Sequence, residues 1–99
     1  MSEEQYVSSW ILKPCSDGVS IDVRPPHRYQ LHLLSLTTQL PENYTSQVVT
    51  ASLAILYNEQ NIKVTLYQSG RMLLETLDMN IAKTITRVLL DFFNYKKED

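Results

Sequence analysis

The chain has 99 residues, a length that fits one domain and leaves no room for two. A hydrophobic fraction of 43% and a charged fraction of 20% are typical of a globular protein and exclude a disordered chain. Nine basic and eleven acidic residues give a net charge of -2, without the basic excess that usually recruits nucleic acid. The single cysteine, Cys15, excludes an internal disulfide. No apolar run approaches the roughly 20 residues that a membrane span needs.

The ends of the chain differ from its middle. Residues 1–8 are polar, so we expect a frayed N-terminus. They start without the basic cluster of a signal peptide, so we expect a cytoplasmic protein that has no membrane contact. Residues 96–99 read as a charged tail. We expect residues 9–95 to form a single α+β domain.

The first half of this domain predicts a strand followed by a helix. Val19, Ile21 and Val23 alternate with polar residues, which is typical of a strand with one buried face. Pro25-Pro26 ends that strand, since proline has no N–H to donate to a neighbour. Apolar residues then recur at helical spacing, and we predict a helix over residues 27–39.

The second half predicts an antiparallel meander and a long helix. Alternating runs at 49–57, 62–67 and 71–77 are joined by short turns, the pattern of consecutive antiparallel strands. Asp78 is a suitable N-cap for the final helix. Its predicted buried stripe consists of Ile81, Ile85, Val88, Leu89 and Phe92. The predicted fold is an antiparallel sheet with two helices packed on one face.

Side chains that could support catalysis or bind a metal are few and scattered. Cys15, His27 and His32 do not have the spacing of three or four convergent zinc ligands. The strand carboxylates Asp22 and Glu75 could share a sheet face, but we interpret them as solvated charges. We therefore expect no metal, no cofactor and no enzymatic activity.

The face of the sheet that two helices leave uncovered is the remaining candidate site. On this face we place side chains of the meander that are partly polar and partly apolar, and a connected apolar patch is typical of a docking surface. The predicted partner-binding residues are Leu56, Lys63, Thr65, Tyr67, Arg71 and Leu73.

The order of the predicted elements resembles one half of the TATA-box-binding protein. The local likeness lies in Lys63–Met72, which resembles that family's hairpin with a Ser-Gly turn, and in Leu40–Tyr44, which resembles its segment after the first helix. The resemblance implies a fold of one such half, with an open face that binds the minor groove through inserted aromatic wedges. Tyr67 stands at a wedge position and Arg71 at a basic turn position.

Two functions are compatible with this sequence. The first is a small binding or adaptor module that docks a protein partner on the open face, which the charge of -2 favours. The alternative is nucleic-acid binding, to the minor groove or to single strands, with Lys63 and Arg71 contacting phosphates. A meander also has two edges that can pair with other strands, and the two halves of the resembled protein meet about an approximate two-fold axis, so we expect a homodimer.

Overall fold

The computed structural model describes residues 4–97. This part of the chain is an α+β domain, in which an antiparallel seven-stranded sheet has the order β1-β2-β3-β7-β6-β5-β4. The strands are β1 Gln5–Val7, β2 Trp10–Pro14, β3 Ile21–Arg24, β4 Thr45–Val49, β5 Leu53–Tyr57, β6 Lys63–Tyr67 and β7 Met72–Leu74. The helices are α1 Leu33–Leu36, followed by a 3-10 turn over Thr37–Gln39, and α2 Met79–Lys97. The predicted α+β class with an antiparallel sheet is confirmed.

The core lies between one face of the sheet and the two helices. Alternate strand residues point to this face, and cross-strand pairing aligns them in rows. One row runs Leu56, Val64, Leu74, Ile21, and the next runs Ala54, Leu66, Met72, Val23. The same buried cluster contains Leu33 of α1 and Leu89 of α2, so both helices cover this face.

The N-terminal stretch is more ordered than its polarity suggests. Residues 5–7 form β1 and pair with β2, where Val7 lies opposite Trp10 and is only 6% exposed. Ser8 takes a left-handed conformation at φ 56°, which closes the tight turn between the two strands. Residues 1–3 lie outside the described residues. Of the predicted charged tail, residues 96 and 97 continue α2, and residues 98 and 99 lie outside the description.

The predicted helix over residues 27–39 is wrong for most of its length. The segment after β3 is held to the turn between β6 and β7: the backbone N–H groups of Tyr29 and Leu31 donate to the carbonyls of Ser69 and Gln68 at 2.9 and 3.0 Å. Helical turns begin only at Leu33. These long-range backbone hydrogen bonds override a local pattern that fits a helix.

The strand predicted at 49–57 begins only at Leu53, and a strand that the sequence did not predict, β4, ends at Val49. A short turn follows β4, and the Thr50 hydroxyl oxygen stabilises it by accepting hydrogen bonds from the Ser52 and Leu53 N–H groups at 3.2 and 3.0 Å. The chain therefore reverses at Thr50, and β4 becomes the edge strand beside β5. The sequence does not reveal this turn, because the alternation of apolar and small residues typical of a strand runs through residues 49–57 without a break.

Helix α2 confirms the predicted cap and shifts the predicted stripe. Asp78 Oδ1 accepts hydrogen bonds from the N–H groups of Asn80 and Ile81 at 3.0 and 3.2 Å. Ile85 and Leu89 are buried as predicted, whereas Ile81, Val88 and Phe92 are only partly buried. Ala82 and Phe93 are buried instead, so the buried stripe of α2 is rotated about the helix axis from its predicted position toward these two residues.

Candidate functional site: the open face of the sheet

The second face of the sheet carries the candidate site, and neither described helix covers it. Outward residues alternate with core residues on every long strand. The outward positions of the central strands are Leu53, Ile55, Tyr57, Lys63, Thr65, Tyr67 and Leu73, all of intermediate exposure. We call this surface the open face.

Five of the six predicted site residues belong to the open face or to its rim. Lys63, Thr65 and Tyr67 lie on β6, Leu73 lies on β7, and Arg71 lies just before β7. The structure brings them together through the register of these two strands, in which Thr65 is directly opposite Leu73.

The prediction that Leu56 lies on the open face is wrong. Leu56 is 0% exposed and pairs with Val64 in the core. Residues directly opposite each other on paired strands share a face, so Val64 and Leu56 had to be inside together. Leu53 and Ile55, which were not predicted as site residues, alternate with Leu56 and therefore occupy the open face. The alternation divides the β5 residues into two sets that point to opposite faces. The pairing of Leu56 with Val64 shows which set points to the core.

The apolar residues of the open face form a connected strip. Val48, Ile55, Thr65 and Leu73 are consecutive partners in one cross-strand row. Val48 is 41% exposed at the outer end of this row. Leu53 pairs with Tyr67 in the adjacent row. We define the open-face strip as Val48, Leu53, Ile55, Tyr67 and Leu73.

One buried carboxylate pairs with two arginines beside this strip, so the three groups together keep one positive charge. Asp22 is 8% exposed, and its two oxygens accept hydrogen bonds from the Nε atoms of Arg24 and Arg71, each at 2.9 Å. The hydrogen bond to Asp22 raises the pKa of Arg71. The Arg71 guanidinium carbon also lies 5.7 Å from the centre of the Tyr67 ring, within cation–π range. Asp22, interpreted from the sequence as a solvated charge, is instead an ion-pairing group that orients Arg71.

The other cation of the predicted site also has an acidic neighbour. The Glu75 N–H donates to the Lys63 carbonyl at 2.9 Å, which places these residues opposite each other where β6 and β7 meet. Opposite charges at facing positions attract each other and reduce the local field. Of the two predicted cations, Arg71 therefore forms an ion pair, whereas Lys63 has an acidic residue at the facing backbone position.

The residues considered for catalysis lie in separate parts of the fold. Cys15 belongs to the turn between β2 and β3, where its N–H donates to the Ser20 carbonyl. The His27 ring stacks on the Tyr29 ring, with centres 4.5 Å apart. Within residues 4–97, no group of three or more His, Cys, Asp or Glu side chains is arranged to hold a metal ion.

A concave region of about 650 Å³ lies away from the open face, at the N-terminal half of α2. It is lined by Glu42, Tyr44, Asn58, Glu59, Gln60, Asn80, Ile81, Thr84, Ile85 and Val88. Burial and the nearby charge of Glu59 raise the pKa of Tyr44 to about 12.

Side-chain nitrogen and oxygen atoms buried in the described part of the chain all have hydrogen-bond partners. The hydrogen bonds of the protein thus satisfy its buried polar atoms.

Comparisons with known proteins give no relative for this chain. No family model matches it, and searches of curated proteins and of solved structures give no match. In the described residues, α2 and α1 both fall short of the length and apolarity that crossing a bilayer requires.

Proposed function

We propose that this chain is a non-catalytic binding module that docks a protein partner on the open face of its sheet. The open-face strip carries this proposal. Its residues lie in adjacent cross-strand rows, are partly exposed, and face away from both helices. Connected apolar surface of this kind favours contact with another apolar surface, since burial removes it from water.

The charges around the strip support a protein partner over a nucleic acid. Binding to a duplex depends on cations that neutralise phosphates. Arg71 shares the Asp22 carboxylate with Arg24, and Lys63 lies opposite Glu75. A protein surface with apolar side chains needs no such excess of positive charge. The alternative, nucleic-acid binding through the same face, therefore has less support.

The order of elements supports the proposed likeness to one half of the TATA-box-binding protein fold. From β3 onward the chain runs through a strand, a short helix, four antiparallel strands and a long helix. The hairpin of β1 and β2 precedes this unit and pairs with β3. At the proposed wedge position, Tyr67 packs with Arg71, and this contact suits a flat docking surface better than an inserted ring.

A quantitative pull-down from the native host tests the proposal. The variants Ile55→Thr and Leu73→Thr remove apolar surface from the strip while keeping a residue that suits a strand. The matched control is Leu34→Thr, because Leu34 is 61% exposed on α1, away from the open face. We expect a stoichiometric protein to be recovered by the parent chain and the control, and at least tenfold less of it by either strip variant.

Two results would contradict the proposal. Equal recovery of the same partner by the strip variants would place the contact elsewhere on the molecule. Binding to duplex DNA at low salt that weakens steeply as salt is added would favour the nucleic-acid alternative, since release of counterions from phosphates produces that dependence.

A further inference from the structure

The two edges of the sheet are unequal. The edge strand β1 has three residues, and its last residue, Val7, belongs to the core. The edge strand β4 has five residues, of which Thr45 to Val48 are all exposed. Its sequence, TSQVV, contains no charged residue and no proline. Short length, charge, proline and bulges are features that keep an edge from pairing; β4 lacks the first three and carries a bulge between Ser46 and Val48.

We infer that β4 is a self-association edge, at which a second copy of this chain adds its own β4 in the antiparallel direction. An antiparallel pair of identical strands has two-fold symmetry, which closes the assembly as a dimer. This inference rests on the edge of the sheet and not on the proposed partner of the open face. The two can therefore fail separately.

Charge sets the antiparallel direction. Glu42 is exposed three positions before β4, and the turn after β4 contains the neutral residues Thr50, Ala51 and Ser52. Antiparallel pairing places Glu42 of one copy beside this neutral turn of the other. Parallel pairing would place the two Glu42 carboxylates side by side, and like charges at neighbouring positions destabilise a pair.

The side chain at the bulge of β4 does not cover the edge. The pairing of β4 with β5 shifts between Ser46 and Val48, so Gln47 is the extra residue. Its side-chain oxygen accepts a hydrogen bond from the Tyr57 hydroxyl at 3.1 Å. The Gln47 side chain is thus directed over β5 and not outward past the edge. A bulge bends its strand and opposes edge pairing, so in the proposed dimer the two identical bends must match across the two-fold axis.

The dimer would also extend the open-face strip. Val48 is the last strip residue before the edge and is 41% exposed. With β4 paired to its copy, the two Val48 side chains lie near the two-fold axis, and the strips of both chains meet there. A five-residue strand is about 17 Å long, so the contact lies at the small end of specific interfaces. We expect a dissociation constant in the micromolar range.

Sedimentation equilibrium across about 1 to 500 μM chain tests the inference, with variants Ser46→Lys and Ser16→Lys. Both replace an exposed serine by lysine, at the edge strand and in the turn between β2 and β3 respectively. We expect the parent and Ser16→Lys to move from 11.5 kDa toward twice that mass, and Ser46→Lys to raise the dissociation constant at least tenfold. Each lysine brings the net charge of -2 closer to zero, so general repulsion cannot cause that loss. A single-chain mass throughout, or equal weakening by both variants, would overturn the inference.

A cross-linking measurement tests the same edge without weakening it. In a Cys15→Ser background, Gln47→Cys places a thiol at the middle of β4, and Tyr6→Cys places one on β1. We expect mild oxidation to give a covalent dimer of the Gln47→Cys chain and none of the Tyr6→Cys chain. A covalent dimer formed equally by both would show random collision, and one formed through Tyr6→Cys alone would move the interface to β1.

Discussion

Gly70 offers the sharpest test of how the segment after β3 is anchored. Gly70 is buried, has φ +96°, and a Cβ added there would lie 3.3 Å from Tyr29 Cγ and 3.5 Å from Pro25 Cγ. Gly18 has a similar φ of +77°, but its added Cβ would meet nothing within 4 Å. Comparing Gly70→Ala with Gly18→Ala therefore separates crowding against the anchored segment from backbone strain alone.

The magnitudes follow from these two environments. A left-handed conformation costs an alanine about 1–2 kcal/mol, and the loss of chain entropy in the unfolded state offsets about 0.4–1 kcal/mol. We expect Gly18→Ala to destabilise the fold by about 1 kcal/mol or less on this basis. Overpacking adds about 1–3 kcal/mol where neighbours must move, so Gly70→Ala should lose about 1–4 kcal/mol in total.

Urea unfolding followed by circular dichroism measures both values. A difference of about 1 kcal/mol or more between the two variants is expected, and replacing Tyr29 by alanine in the Gly70→Ala chain should reduce the crowding part of the loss. If Gly70→Ala and Gly18→Ala lose the same free energy, the Tyr29 side chain does not crowd this turn, and the packing described for the segment after β3 is wrong.

Two further predictions concern the core and the alkaline pH range. Leu89 is 0% exposed, so Leu89→Ala should lower the free energy of unfolding by about 2–5 kcal/mol in thermal or urea unfolding. Leu34 is 61% exposed, and Leu34→Ala should change the free energy of unfolding by less than about 0.5 kcal/mol. If Leu89→Ala also changes it by less than about 0.5 kcal/mol, the buried face of α2 is misassigned. The Tyr44 pKa is raised to about 12 from 10.0, so the folded state keeps a proton that the unfolded state releases, and the stability present below pH 10 should fall as the pH rises from 10 to about 12. Tyr44→Phe should lose less stability over that range, and equal losses in both chains would contradict the environment described for Tyr44.

The alternation of apolar residues predicts much of this fold, because a period of two reports the two faces of a strand directly. Val64 and Leu66 on β6 and the N-cap Asp78 follow from local chemistry and are found where the sequence places them. The α+β class and the antiparallel meander can thus be predicted from local sequence patterns. The stripe of α2 is predicted to within one residue, since Ile85 and Leu89 are correct and Ala82 is too small to stand out in a hydrophobic pattern.

The errors share a cause, which is that long-range pairing decides between local alternatives. Tyr29 and Leu31 fit a helical spacing, yet their N–H groups pair with the β6–β7 turn. Leu56 fits either face of a strand until its pairing with Val64 is known. The same reasoning explains the missed parts of the site. The ion pair between Asp22 and Arg71 is recognisable only once β3 is placed beside β7, where Arg71 can reach Asp22.

Site-specific photo-crosslinking in the native host tests the proposed docking face most directly. A photoreactive amino acid is placed at position 73, in the open-face strip, and at position 34 as the exposed control on α1. The proposal predicts one discrete adduct with another protein from position 73, and no adduct of that mass from position 34. The same adduct from both positions, an adduct with nucleic acid, or an adduct with a second copy of this chain at position 73 would contradict it.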